Sequence, residues 1–145
     1  MTTIAYRNGI IAYDSRMTAF NIIVNDNFEK SFRQDGDALV YCGDVGDMQH
    51  FVECVFNNKN PDRELDCEAF VITSGVLHCV DVVEDNGTFR IREIPLETDN
   101  YYAIGSGTRF ALAYMDCGMS AVEAVSKTFT RDPFSGGKIR TINII

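Results

Sequence analysis

No stretch of this 145-residue chain approaches the roughly 18 consecutive apolar residues that a membrane helix needs, and no basic segment with an apolar run behind it opens the chain. The expectation is a soluble, cytoplasmic protein with no membrane partner. Basic residues are few: 13 Lys and Arg against 21 Asp and Glu give a net charge of −8. No basic run is present to track a phosphate backbone, which argues against nucleic acid as a partner. The five cysteines are odd in number, lack C-x-x-C spacing and lie mostly in apolar stretches. They read as small core residues in a reducing compartment, not as a disulfide framework. Only two histidines occur. His50 has only Cys54 at helical ligand spacing, and neighbours His78 and Cys79 would face opposite sides of a strand, so no metal site is expected. There is no G-x-S-x-G elbow for a serine nucleophile, and Gly105-Ser106-Gly107 is too short for a dinucleotide loop, so no cofactor is expected. Asn86-Gly87-Thr88 fits a glycosylation sequon but reads better as a hairpin turn. With 46% hydrophobic residues and no repeat or linker, residues 1–145 are expected to form one domain.

The residues that are there alternate between strand and helix signals. Thr3 to Tyr6 and Gly9 to Asp14 have the spacing of a tight hairpin about Arg7-Asn8. Polar residues Asp14 to Thr18 then interrupt the pattern, where loops carry chemistry. After the apolar run Ile22-Ile23-Val24, alternation from Phe28 to Phe32 predicts a strand with Lys30 on the same face as the two aromatics. A lysine so placed needs an anionic partner. Ala38 to Cys42 is a strand that stops at Gly43-Asp44-Val45-Gly46-Asp47, and Met48, Phe51, Val52, Val55 and Phe56 recur at helical spacing as far as about Asn58. Glycines at such a turn let backbone amides face a ligand or an anion. Ala69 to Thr73, Val76 to Val83 and Thr88 to Ile94 read as strands, as does Tyr101 to Ile104. A helix follows to Gly118, then a second one announced by the capping box Ser120/Glu123. Arg131 to Gly137 is a tight loop, and Lys138 to Ile145 alternates as a last strand. This order predicts an α+β protein with mostly antiparallel sheets and helices packed outside them.

The opening Met1-Thr2-Thr3 carries a chemical option. Removal of Met1, which the small Thr2 permits, would leave a hydroxyl and a free α-amine on adjacent atoms, a nucleophile with its own base. With a pKa of about 7.7–8 the amine is partly neutral at pH 7. Taken alone, Thr2 reads as simply the first residue of an edge strand, and only the rest of the chain favours the nucleophile.

The motifs together resemble the β-type subunits of the proteasome and the HslV peptidases that work with an unfoldase ATPase. The parts are Thr2-Thr3-Ile4, Tyr13-Asp14-Ser15-Arg16, Lys30, Cys42 to Asp47, Ile104-Gly105-Ser106-Gly107 and Arg131 to Gly137. The resemblance implies the four-layer αββα sandwich of N-terminal nucleophile hydrolases. It implies Thr2 as nucleophile, Asp14 and Lys30 beside it, the Gly43 amide facing the oxyanion, and Ser106, Asp132 and Ser135 holding the terminal amine and a water. Asp132 and Ser135, read without the resemblance, make a plain turn. By position Met17, Thr18, Phe28, Tyr41 and Val45 match the lining of an apolar substrate pocket, although Phe28 and Tyr41 read equally as core residues. The family's second long helix after the one that begins near Met48 is missing, so one helical layer is expected to be reduced. The resemblance further implies a threonine endopeptidase acting on polypeptides, assembled as a homo-oligomeric ring or double ring, with an unfoldase ATPase as candidate partner. Two other readings stay open: a non-catalytic ring subunit that retains Met1, and a small-amide hydrolase on the same fold.

Overall fold

The computed structural model describes residues 2–144; the expected removal of Met1 and the end of the last strand at Ile145 lie outside them. The chain forms an α+β fold of two compact units: one comprises the residues up to Lys30 with those from Glu97 onward, the other Ser31–Leu96.

The first unit opens with β1 (Thr3–Arg7) and β2 (Ile10–Tyr13), joined by a two-residue turn in which Asn8 and Gly9 both have positive φ. The turn is Asn8-Gly9, not Arg7-Asn8, because Asn-Gly supplies the left-handed pair that matches strand twist. A separate hairpin follows, β3 (Met17–Ala19) with β4 (Ile22–Asn25), so the polar interruption after β2 ends at Arg16. Ile22, Ile23 and Val24 are largely exposed, and the turn residue Phe20 is 97% exposed.

The second unit holds β5 (Ser31–Gln34), β6 (Asp37–Gly43), α1 (Val45–Phe56), β7 (Cys67–Thr73), β8 (Val76–Asp85) and β9 (Thr88–Pro95). Its five strands pair antiparallel in sequence order, and α1 packs on β6 and β7 through Phe51 and Cys54. Asp44 caps α1 by accepting from the Gly46 amide. Among the described residues no helix lies between Phe56 and Cys67, in keeping with the expected missing helix. The first unit resumes with β10 (Tyr102–Gly105), α2 (Thr108–Asp116), α3 (Ala121–Thr128) and β11 (Arg140–Asn143). The Ser120/Glu123 capping box at the start of α3 is formed as predicted.

Two strand expectations are corrected. Phe28 to Lys30 is irregular, and β5 begins only at Ser31. The backbone there is drawn off by the end of β2, the Phe28 amide donating to the Ser15 carbonyl at 2.9 Å. The last strand starts at Arg140, not Lys138, because the preceding residues serve β2: Gly136 accepts from the Ser15 amide and Lys138 from the Ser15 hydroxyl.

In the first unit the sheet order is β10-β1-β2-β11, all antiparallel. Ala5 and Ala12 sit opposite one another, and their small side chains admit α2 and α3 against the sheet, closing a core with Ala111, Met115, Ala124 and Val125. This packing anchors β1, and with it Thr2. No helix of the described residues is long and apolar enough to cross a membrane.

Burial pushes the Cys67 thiol up to about 12 and Cys79 up to about 11. Cys42, Cys54 and Cys67 are buried, Cys79 is half-buried and Cys117 is exposed. Since the thiolate is the reactive form, one equivalent is expected to react rapidly with a disulfide reagent at about pH 8 in the folded protein. The other four should react only after unfolding in guanidinium; two or more fast equivalents would contradict the burial.

Candidate active site

Strand geometry sends adjacent side chains to opposite faces, so Thr2 and Thr3 at the head of β1 meet different partners. The Thr2 hydroxyl donates to Asp14 Oδ1 at 2.5 Å, and the Lys30 ammonium donates to the same oxygen at 2.7 Å. All three residues are buried, Lys30 at 3% exposure and Asp14 at 0%. The backbone completes the cradle. The Thr3 amide reaches Asp14 Oδ1 at 3.3 Å, while the amides of Gly136 and Arg16 donate to Oδ2 at 2.9 and 3.3 Å. Five donors converge on this buried carboxylate and fix its place.

The second polar group lies on the other side of Thr3. Asp132 Oδ2 accepts from the hydroxyls of Ser106 at 2.6 Å and Ser135 at 2.7 Å, and Oδ1 accepts from the Phe134 amide. Ser135 has one hydrogen, and Asp132 takes it. The 2.6 Å contact between Thr3 Oγ1 and Ser135 Oγ therefore has Thr3 as donor. Ser106 Oγ also stands 3.2 Å from the Thr2 carbonyl oxygen. Thr2 and Thr3 thus tie two polar groups to one end of one strand. A cleft of about 550 Å³ opens onto Ser106 and Asp132, walled by Phe110, Phe134, Arg109 and Arg131.

Of the residues singled out in the sequence, Thr2, Asp14, Lys30, Ser106, Asp132 and Ser135 come together in the first unit. Met17, Thr18 and Phe28 belong to it too, half-buried, the first two on β3. Gly43, Tyr41 and Val45 lie in the second unit. Gly43 ends β6 with φ of +132°, and a Cβ there would collide with the Asp66 backbone. Tyr41 is 2% exposed, its hydroxyl titrating well above the usual range because of burial, and Val45 opens α1. Thr3 was not singled out, although strict alternation along Thr2-Thr3 places it on the opposite face. Arg16 of the Tyr13 to Arg16 motif clamps the loop: it pairs with Asp26 at 2.8 Å, donates to the Pro133 carbonyl, and packs so closely on Gly136 that a Cβ would meet its guanidinium. Among the described residues no three His, Cys, Asp or Glu side chains group as metal ligands.

Glycine is required at position 105, where φ is +98° and a Cβ would run into the Thr2 carbonyl. Gly105→Ala is expected to cost on the order of 3 kcal/mol through strain and overpacking. A melting point lowered by about 10 °C would register it; an unchanged one would show that the Thr2 backbone has room to move.

No protein-family model matches the chain, and no curated protein matches it in sequence. Solved structures do. BPH of Thiobacillus denitrificans, solved in complex with epoxomicin, superposes with a TM-score of 0.69 at 15% identity over 99% of this chain and 98% of that one. Eukaryotic HslV from Trypanosoma brucei superposes with a TM-score of 0.68 at 18% identity over 98% of each chain. Likeness at such identities is likeness of fold, and nearly the whole chain takes part in it: the resemblance to HslV and proteasome β-type subunits read from the motifs holds for the architecture of this protein.

Proposed function

We propose that this protein is a threonine endopeptidase of the N-terminal nucleophile type, with Thr2 as nucleophile. The observation that carries the reading is the single oxygen of Asp14 shared by the Thr2 hydroxyl and the Lys30 ammonium. Such a couple orients the hydroxyl and places a positive charge where an alkoxide would develop. In the proposed reaction the released Thr2 amine takes the hydroxyl proton as Oγ attacks the scissile carbonyl. The peptide C–N bond then breaks, and the proton passes to the leaving amine. Water hydrolyses the resulting ester, with Ser106, Asp132 and Ser135 holding amine and water in place.

The proposal includes the four-layer sandwich, one helical layer reduced to α1, and a cytoplasmic homo-oligomeric ring that keeps unfolded polypeptides from indiscriminate attack. It also includes the candidate ATPase and an apolar pocket involving Met17, Thr18 and Phe28. Incubation with a peptide epoxyketone, read by intact mass, tests it. The expected product is protein lacking Met1 and carrying one inhibitor per chain on Thr2. Protein from its natural host that retains Met1 and forms no adduct would sink the reading. Particle mass in solution tests the ring, and a monomer would remove that part.

A further inference from the structure

Residues 28–30 carry Lys30 to its place without the support of a sheet ladder. Among the groups that fasten them instead is a guanidinium that bonds to several points of the segment. Arg140 opens β11 directly opposite Tyr13 of β2. Its Nε pairs with Glu29 Oε2 at 3.1 Å, and Nη2 donates to Asn27 Oδ1 at 2.6 Å. Its Nη1 donates to the Phe28 carbonyl at 3.3 Å and to the Ser15 hydroxyl. The Tyr13 hydroxyl donates to the other oxygen of Glu29 at 2.8 Å, so the cross-strand pair Tyr13 and Arg140 grips both carboxylate oxygens. The last residue of β2 and the two that follow it thereby each hold one residue of the segment: Tyr13 holds Glu29, Asp14 holds Lys30, and the Ser15 carbonyl holds the Phe28 amide. Arg140 reaches across all of them, with a side chain only 20% exposed. Neither Arg140 nor Glu29 belongs to the motifs that carry the family resemblance.

We propose that Arg140 is a positioning residue for Lys30: by fastening Asn27, Phe28 and Glu29 to the end of β2, it sets the point from which the Lys30 ammonium reaches the Asp14 oxygen shared with Thr2. This inference rests on the catalytic reading of Thr2 and Lys30. A planar fork with fixed donor directions suits the task, whereas a lysine at 140 could keep its charge near Glu29 but not span four acceptors. Glu29 is the partner through which most of the effect passes, since it adjoins Lys30 in the chain.

The test compares wild type, Arg140→Met, Arg140→Lys, Glu29→Gln and Arg140→Met/Glu29→Gln, using a fluorogenic peptide and crystal structures of the variants. Arg140→Met is expected to lower kcat about tenfold with KM within about twofold, since a misplaced ammonium affects the transition state and not ground-state binding. Its crystal structure should show Lys30 Nζ beyond about 3.5 Å from Asp14. Arg140→Lys and Glu29→Gln should each lose about threefold in kcat. The double variant should be no worse than Arg140→Met alone, the signature of residues acting as a unit. If Arg140→Met does not accumulate as folded protein, Arg140→Lys and Glu29→Gln make the same comparison. A variant that melts at lower temperature yet keeps both kcat and the Lys30–Asp14 contact overturns the proposal, leaving Arg140 as a brace of the fold. Wild type with neither turnover nor epoxyketone adduct would remove the peptidase reading, while the distance in the variant structures would still decide the positioning claim.

Discussion

Thr2→Ala is expected to lower peptide turnover by at least about 1000-fold while leaving the fold intact, the size of loss seen when a nucleophile is deleted from an enzyme that works by acyl transfer. The fold should survive because Asp14 keeps four other donors: Lys30 and the amides of Thr3, Arg16 and Gly136. Loss of one buried hydrogen bond costs about 1 kcal/mol, a drop in melting temperature of about 2–4 °C for a chain of this length. Thr2→Ser keeps a hydroxyl within reach of Asp14 and is expected to retain measurable turnover. Parent-level hydrolysis by purified Thr2→Ala protein, free of contaminating peptidase, would mean that another group is the nucleophile. The epoxyketone adduct separates the cases further, since it should form on Thr2→Ser and not on Thr2→Ala.

What could be read from the sequence divides by the range of the interactions concerned. Local signals succeeded: the Ser120/Glu123 box starts α3, Asn-Gly and Ser-Gly pairs turn the hairpins, and the helical spacing from Met48 gave α1 its apolar side. The requirement that a buried lysine find an anion also held, with Asp14 as that anion. The strand expected from Phe28 to Phe32 holds only from Ser31 onward; over Phe28 to Lys30 the alternation imitates a sheet face, while the Phe28 backbone is claimed by Ser15 and Arg140. Arg140 itself gave no signal. One basic residue in an alternating strand looks like any solvated side chain, and its acceptors lie more than a hundred residues earlier. The apolar run Ile22-Ile23-Val24 lies on an exposed hairpin, a placement that composition alone does not give. Thr3 stands between these cases. Its alternation with Thr2 was legible, but its partner Ser135 could only come from the fold.

Lys30 should matter to both stability and rate, and the two effects can be separated. Lys30→Ala, or Lys30→Met at nearly matched volume, leaves the Asp14 carboxylate fully buried without the ammonium that pairs with its Oδ1. Breaking a buried ion pair from one side costs about 3–5 kcal/mol, which at this chain length lowers the melting point on the order of 10 °C. Asp14→Asn added to Lys30→Met removes the stranded charge and should recover most of that stability, because a neutral amide and a thioether need no counterion. Activity should not recover. On the proposed mechanism, losing the ammonium beside Thr2 removes stabilisation from the alkoxide and leaves the amine more readily protonated. Turnover is expected to fall about 100-fold or more in the single and the double variant alike, and residual activity of the Lys30 single variants should have its acid limb displaced to higher pH. A double variant that melts like the parent and regains the parent's rate would show that the pair only holds the fold together. A Lys30→Met protein as stable as the parent would show that the ammonium and carboxylate were never closely paired, and the peptidase reading would lose the geometry on which it stands.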